Sequence, residues 1–181
     1  MIPQPLHPAV VHFPIVLGML LPLVAVASLV AARKGVATRK AWLPTLALAV
    51  GLAFSSGAAL QTGESEEEVV ERVVAESVIH EHEDAAELFL WLSVGTMVLS
   101  GFGMVSGVAG NVLRIVTVAA SLAVVATGYQ AGHTGGALVY QHGAASAHIR
   151  NAAISTLIQG SEEEGEDDRE GEHERRDEDR G

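Results

Sequence analysis

The sequence predicts an all-α integral membrane protein, a four-helix bundle with an outer amphipathic helix and a disordered acidic tail. Two observations indicate this class: long stretches carry no charged residue, and the charges that exist are confined to short blocks. A water-soluble domain spreads charge over its surface, so this distribution excludes a soluble globular fold and a nucleic-acid-binding protein. The 181 residues include no cysteine, which excludes disulfides, thiolate metal sites and iron–sulfur clusters.

Four stretches lack Asp, Glu, Lys and Arg, and each exceeds the roughly 20 residues that cross a ~30 Å hydrocarbon core. They are residues 1–32, 41–63, 88–113 and 115–149. Because backbone polar groups in lipid must be satisfied within the segment, these stretches favour helices. We therefore predict transmembrane helices near 12–32, 42–61, 88–109 and 115–133.

Basic residues predict the orientation of the helices. Four of them lie in the loop at 33–40, and Arg114 ends the loop between the third and fourth helices, whereas the 62–87 loop holds ten acids and only Arg72. The positive-inside rule then predicts a multi-pass protein of the inner (cytoplasmic) membrane, with both termini and the 62–87 loop on the outer, periplasmic side. We do not expect a cleaved signal peptide, because no basic residue precedes the first apolar run.

The acidic outer loop predicts an amphipathic helix over 66–80. Ser65 and Glu68 have the spacing of a capping box, and valines recur at helical intervals after them. The acidic face either is solvated or recruits a cationic partner such as a soluble cytochrome. We assign residues 1–160 to the four-helix domain and 161–181 to the disordered tail, which has too few apolar residues to offset the entropy of ordering.

Histidines are concentrated on the predicted outer side. Besides His173 in the tail, they are His7, His12, His80, His82, His133, His142 and His148. His12 lies 21 residues before Arg33, about 31 Å along a helix, and His133 lies 19 residues after Arg114, about 28 Å. The two side chains are therefore expected at nearly equal depth, near the outer hydrocarbon boundary and on separate helices.

Imidazoles that converge at one membrane face have three interpretations. Two can ligate haem b, three or more can bind copper, zinc or iron, or all can be interfacial polar residues that bind nothing. Matched depth favours His12 and His133 as haem ligands, with His82 and His142 as further cofactor ligands. For a metal ion the candidate ligands are His7, His12, His82, His133 and His142. The spacing is not diagnostic, because no H-E-x-x-H or similar motif occurs.

Three local strings carry a resemblance to a known family. They are H-P-A-V-V-H-F-P at 7–14, H-E-H-E-D-A-A-E-L at 80–88 and G-H-T-G-G-A-L-V-Y-Q-H-G at 132–143. Over roughly residues 5–145 the chain resembles the bacterial four-helix membrane proteins known as domain of unknown function 2231, some of which are fused to cytochrome c domains. The resemblance implies a membrane bundle and suggests respiratory electron transfer with haem b. Its motif histidines correspond to His7, His12, His133 and His142, and we choose His82 over His80.

The leading hypothesis is a membrane subunit that binds haem b and receives electrons from quinol or a soluble cytochrome c. The alternatives are an outward-facing copper, zinc or iron site, and a structural or assembly subunit of a larger membrane complex. We expect an electron-transfer or binding subunit rather than a stand-alone enzyme, because no nucleophile is evident. Ion translocation is disfavoured, because the only polar groups near the midplane are hydroxyls, which usually bond to their own helix.

Overall fold

Four long helices dominate the computed structural model, which describes residues 6–147, 149, 153–154 and 157. A single turn, α1 (His7–Val10), precedes α2 (His12–Arg33), α3 (Thr38–Val70), α4 (Glu76–Phe102) and α5 (Gly107–Tyr140). Because Pro14 has no N–H to donate to the carbonyl of Val10, the helix is interrupted at Val11. Apart from this interruption, α1 and α2 form one span.

The long helices form an antiparallel bundle. Each packs against its neighbour in sequence, and α2 closes the ring against α5. The buried positions alternate in steps of four and three residues, as they do along α2 at Pro14, Gly18, Leu21, Ala25 and Ser28. This is the heptad spacing of a left-handed bundle. All four helices are long and apolar enough to cross a membrane, which confirms the predicted fold class.

The interior of the bundle contains many polar side chains. Its buried side chains include eight hydroxyls: Ser28, Thr45, Ser56, Ser93, Thr96, Ser100, Thr117 and Ser121. Most bond to their own helix, as Ser56 does to the Leu52 carbonyl at 2.8 Å, whereas Thr45 donates across helices to Ser28 at 2.9 Å. Large apolar side chains such as Phe54 face outward, with an exposed fraction of 75%. A bundle with buried hydroxyl groups and outward-facing large apolar side chains is typical of a protein that is surrounded by lipid.

Two of the helices are longer than a membrane span requires, and their excess length lies on the acidic side. Helices α3 and α5 have 33 and 34 residues, so each is about 50 Å long and exceeds a ~30 Å hydrocarbon core by about 20 Å. The structure differs here from the predicted separate helix over 66–80. Residues 66–70 are the end of α3, 71–75 form a turn, and α4 begins at Glu76.

The reason is that the valines of this segment have partners within the bundle. Val74 and Ile79 are buried against Leu138 of α5 and against Ala144, which follows α5. These contacts hold the two helix ends and their turn against the bundle. We refer to this projecting part, residues 59–87 and 129–147 together with α1, as the outer end.

The opposite, basic side, which we call the inner end, also differs from prediction. The third transmembrane helix, α4, ends at Phe102 rather than near residue 109. Helix α5 begins at Gly107, whose φ of 88° favours glycine. Arg114 therefore lies two turns inside α5 and is 5% exposed, instead of ending a loop. Its Nη1 donates to the carbonyls of Gly103 at 2.7 Å and Val105 at 3.2 Å. The guanidinium thus caps the carbonyl end of α4, where a cation is favoured.

The chain reverses at the outer end later than predicted. Helix α5 continues beyond residue 133, through Gly135 and Gly136, to Tyr140. The turn comes at 141–143, where Gly143 has a φ of 74°. Ala144 and Ala147 then pack back onto the bundle. His148 and the predicted disordered tail, residues 161–181 with His173, lie outside the described residues.

Candidate functional site

Two of the predicted site residues come together at the outer end. The ring centroids of His7 and His82 are 6.2 Å apart, and the ring planes are inclined at 79°. His7 opens α1, and His82 lies in the second turn of α4. Both side chains are half-buried. The structure therefore pairs the first histidine of the N-terminal motif with the histidine chosen at the start of the third transmembrane helix.

His7 is fixed by α3. Its Nδ1 lies 2.9 Å from the carbonyl of Ala59 and 3.3 Å from Thr62 Oγ1. Thr62 gives its own hydroxyl proton to the same carbonyl at 2.9 Å. Both oxygens near Nδ1 are therefore acceptors, so Nδ1 carries the proton and Nε2 has a free lone pair.

The backbone of α1 is fixed by Glu66, which lies on α3. Its Oε1 accepts from the amide N–H of Leu6 at 2.6 Å and of His7 at 3.1 Å. The first amides of a helix have no partner within the helix, and a carboxylate there also interacts favourably with the helix dipole. Glu66 therefore caps α1 from another helix and sets the position of the His7 ring.

His82 is fixed by α5 in the same way. Its Nδ1 lies 3.0 Å from Thr134 Oγ1. Thr134 donates its proton to the carbonyls of Gln130 and Ala131, at 3.2 Å and 3.1 Å. The hydroxyl oxygen must therefore accept from His82, which again puts the proton on Nδ1 and leaves Nε2 as the basic nitrogen.

A glycine lies beside each ring. A Cβ atom added to Gly63 would lie 3.2 Å from Cε1 of His7, and one added to Gly135 would lie 2.9 Å from Cε1 of His82. Side chains larger than hydrogen at these positions would displace the rings. The glycines thus allow the helices to approach the two imidazoles.

The other candidate histidines are not part of this pair. His12, His133 and His142 are exposed, and the ring of His133 lies 6.2 Å from that of Tyr129, one turn earlier on α5. Within the described residues, no group of three or more His, Asp or Glu side chains is arranged to hold a metal ion. The structure thus brings together two of the five candidate metal ligands, His7 and His82.

Acidic residues line a groove between α3 and α4 at the outer end. Its volume is about 400 Å³, and it is lined by Leu60, Glu64, Glu67, Glu83, Asp84 and Glu87. The acidic residues of this groove lie beyond the apolar stretches, on the projecting ends of the helices. Desolvation and the neighbouring carboxylates of Glu83 and Glu71 raise the pKa of Glu67. The groove therefore concentrates negatively charged side chains at the outer end.

His80 belongs to the exposed acidic surface and not to the pair. Its Nδ1 bonds Glu83 at 2.9 Å, and its Nε2 lies 3.4 Å from Glu76. These contacts, with Glu83 foremost, raise the pKa of His80 above its ordinary value. The structure thus gives His80 and His82 different surroundings, a difference that the sequence alone did not show.

Sequence reasoning missed the residues that support the rings. Counting along helices gives depth but not the face of the helix, so His12 and His133 were paired by level. The signals that point to the observed pair are a threonine and a glycine adjacent in sequence on each supporting helix, Thr62–Gly63 on α3 and Thr134–Gly135 on α5. Small residues in helices often mark a close approach of another group.

Comparison with known proteins is consistent with this architecture. The model of a family described as "Predicted membrane protein (DUF2231)" matches residues 3–148, which is most of the chain and includes all the site residues above. No curated protein and no solved structure matches the chain. The protein is a multi-pass membrane protein, and it belongs to the DUF2231 family.

Proposed function

We propose that the outer end binds haem b through Nε2 of His7 and Nε2 of His82, and that the protein transfers electrons in a respiratory chain. The observation that carries the proposal is the pair of half-buried imidazoles, in each of which Nδ1 donates to an oxygen on a neighbouring helix. Histidines that ligate metals typically donate the other ring N–H to a carbonyl or hydroxyl, which fixes ring orientation and raises ligand basicity.

The separation of the rings supports ligation of one metal centre. A metal–nitrogen bond is about 2.0 Å long, so two imidazoles can hold one metal centre only when their rings lie within a few ångströms of each other. The observed separation is 6.2 Å. Haem b, when bound, would supply a one-electron couple, and His7 and His82 would hold its iron.

A copper or zinc ion is the second candidate for the same site. It is favoured by the close packing of Gly63 and Gly135 against the rings, since a single ion needs less space than a porphyrin. His12 and His133 are the second ligand pair to test for haem, because both are exposed near the expected outer boundary of the hydrocarbon core. A structural or assembly role in a larger complex is the third candidate, in which the histidines bind nothing.

The acidic groove suggests the redox partner. Its carboxylates surround a cleft on the helix that carries His82, which favours a cationic soluble cytochrome c as donor or acceptor. Quinol, which would approach from the bilayer, is the alternative donor.

The test is an oxidised and dithionite-reduced absorption spectrum of the full chain purified after expression with ample haem, combined with metal analysis. Haem b predicts a Soret band that shifts on reduction and is lost in both His7→Ala and His82→Ala. His80→Ala is the matched control, because this histidine lies two residues from His82 but faces the carboxylates, and it should leave the spectrum unchanged.

Each other outcome selects a different assignment. Bound copper or zinc without a Soret band would support the ion. A band lost only in His12→Ala and His133→Ala would move the ligands to that pair. Neither haem nor metal in the unmodified protein would overturn the proposal and leave the structural role.

We further propose that the acidic end faces the periplasm and the basic end the cytoplasm, as the distribution of arginine and lysine indicates. Because the chain has no cysteine, single cysteines report the topology without background. In intact spheroplasts, a membrane-impermeant maleimide should label Ser65→Cys, whereas Ala37→Cys should react only after the membrane is disrupted. Labelling in the reverse order would contradict the orientation.

A further inference from the structure

The inner end carries a compact basic loop. Helix α2 ends at Arg33 and α3 begins at Thr38, so the connection is four residues long, and Gly35 turns it with a φ of 96°. Four cations flank this turn, and all of them are exposed: Arg33, Lys34, Arg39 and Lys40. The adjoining apolar stretches end at residue 32 and resume at 41, so the cations lie directly at the membrane boundary.

Among the residues that the structure describes, no ion pair joins this loop to an acid. Residues 1–63 contain no Asp or Glu, and neither do residues 88–160. The ion pairs within the described part of the chain join Arg72 and His80 to acids of the outer end. Four exposed cations next to a bilayer therefore attract anions from outside the chain.

The neighbouring loop indicates how deeply this end sits. Trp42 donates from Nε1 to the carbonyl of Ser100 at 3.0 Å, which joins the start of α3 to the end of α4 and places both loops at one level. Apolar side chains around the 103–106 loop are exposed, namely Phe102 by 58%, Val105 by 51% and Val108 by 83%. Such a surface avoids water and inserts into the interfacial region of the bilayer.

We propose that the loop at 33–40 binds the phosphate groups of anionic phospholipids in the adjoining leaflet. The exposed apolar side chains of the 103–106 loop, together with Val36 in the basic loop, hold this end at headgroup depth. Arginine and lysine next to a bilayer bind anionic headgroups, and each contributes to the attraction. The inference does not depend on haem, on a metal, or on which side of the membrane the inner end faces.

The experiment is native mass spectrometry of the full chain released from vesicles of equal parts phosphatidylglycerol and phosphatidylcholine. We expect the unmodified protein to retain more phosphatidylglycerol than phosphatidylcholine. In R33Q/K34Q/R39Q/K40Q the ratio of the two retained lipids should fall about tenfold. The charge-preserving variant R33K/K34R/R39K/K40R should retain it. Helical content measured by circular dichroism establishes that each variant is folded.

A matched control removes the same number of charges elsewhere. R169Q/R175Q/R176Q/R180Q neutralises four arginines that lie among the acids of the C-terminal segment, and it should leave the lipid preference unchanged. Inorganic phosphate added at millimolar concentration should not displace the lipid, because the loop binds headgroups presented by a surface. Equal retention of both lipids by the unmodified protein, an equal loss in the control, or displacement by free phosphate would each overturn the proposal.

Discussion

The two ends of the bundle differ in the contacts that join their helices. At the inner end the chain turns within a few residues, Trp42 is fully buried, and Arg114 closes α4 through backbone carbonyls. At the outer end the helices continue past the membrane, and polar side chains hold them together: Glu66 on α1, and a threonine beside each paired histidine. The inner end ties the helices together, while the outer end positions ionisable groups in contact with water.

This difference predicts which substitutions the protein should tolerate without losing stability. Inner-end contacts are made by large buried groups in little space, so substitutions there should cost stability. The polar contacts of the outer end are single hydrogen bonds near solvent, so substitutions of their side chains should cost little stability but should disturb the histidine pair.

Replacing Arg114 should destabilise the protein most. Arg114→Met removes the donors for the Gly103 and Val105 carbonyls, and buried carbonyls without a donor cost about 1–3 kcal/mol each, so we expect a loss of about 3 kcal/mol. Equilibrium unfolding in mild detergent with increasing dodecyl sulfate measures the change. Arg33→Met, which removes an exposed arginine, is the control, and a similar loss there would show that the capping contact is unimportant.

Adding a methyl group at Gly103 should be the next largest perturbation. A Cβ atom there would lie 2.6 Å from Nε1 of Trp42, so Gly103→Ala should displace the indole and cost about 2 kcal/mol. Gly101→Ala, where a Cβ meets nothing within 4 Å, should be neutral or stabilise the helix by up to about 1 kcal/mol. The same unfolding assay applies, and equal effects at the two glycines would contradict the tight contact.

Removing the cap of α1 should have a smaller effect on stability. Glu66→Ala leaves the first amides of α1 without their carboxylate and should cost about 1 kcal/mol. It should also loosen His7, which amide hydrogen exchange at residues 6–11 would detect. Glu64→Ala, at an exposed neighbour on α3, should leave exchange unchanged; faster exchange in both variants would indicate a general effect of acid removal.

The smallest expected effect is electrostatic and concerns His80. Because Glu83 is the main cause of its raised pKa, Glu83→Gln should lower that pKa toward the ordinary value, and Glu76→Gln should lower it less. Titration of the imidazole resonances by NMR in detergent measures both shifts. A pKa that is unchanged in Glu83→Gln would show that the contact does not persist in solution.

The sequence was sufficient for the membrane spans, because long uncharged stretches depend only on composition. It underestimated α3, α4 and α5 at the outer end, where charged residues continue a helix that hydropathy cannot detect. It missed the 103–106 turn for the opposite reason, since the apolar run there continues through the loop. The His7–His82 pair could not be derived from depth alone, because depth does not determine which side of a helix faces its neighbour.

The hydroxyl-containing interior makes this fold dependent on a lipid environment. Its buried seams contain glycine, alanine, serine and threonine, with few large apolar side chains such as Leu21 and Phe89. Recoding the lipid-facing surface with charged residues would therefore not yield a stable water-soluble analogue, because so little apolar area would be removed from water on folding. A soluble version would need a new interior as well as a new exterior.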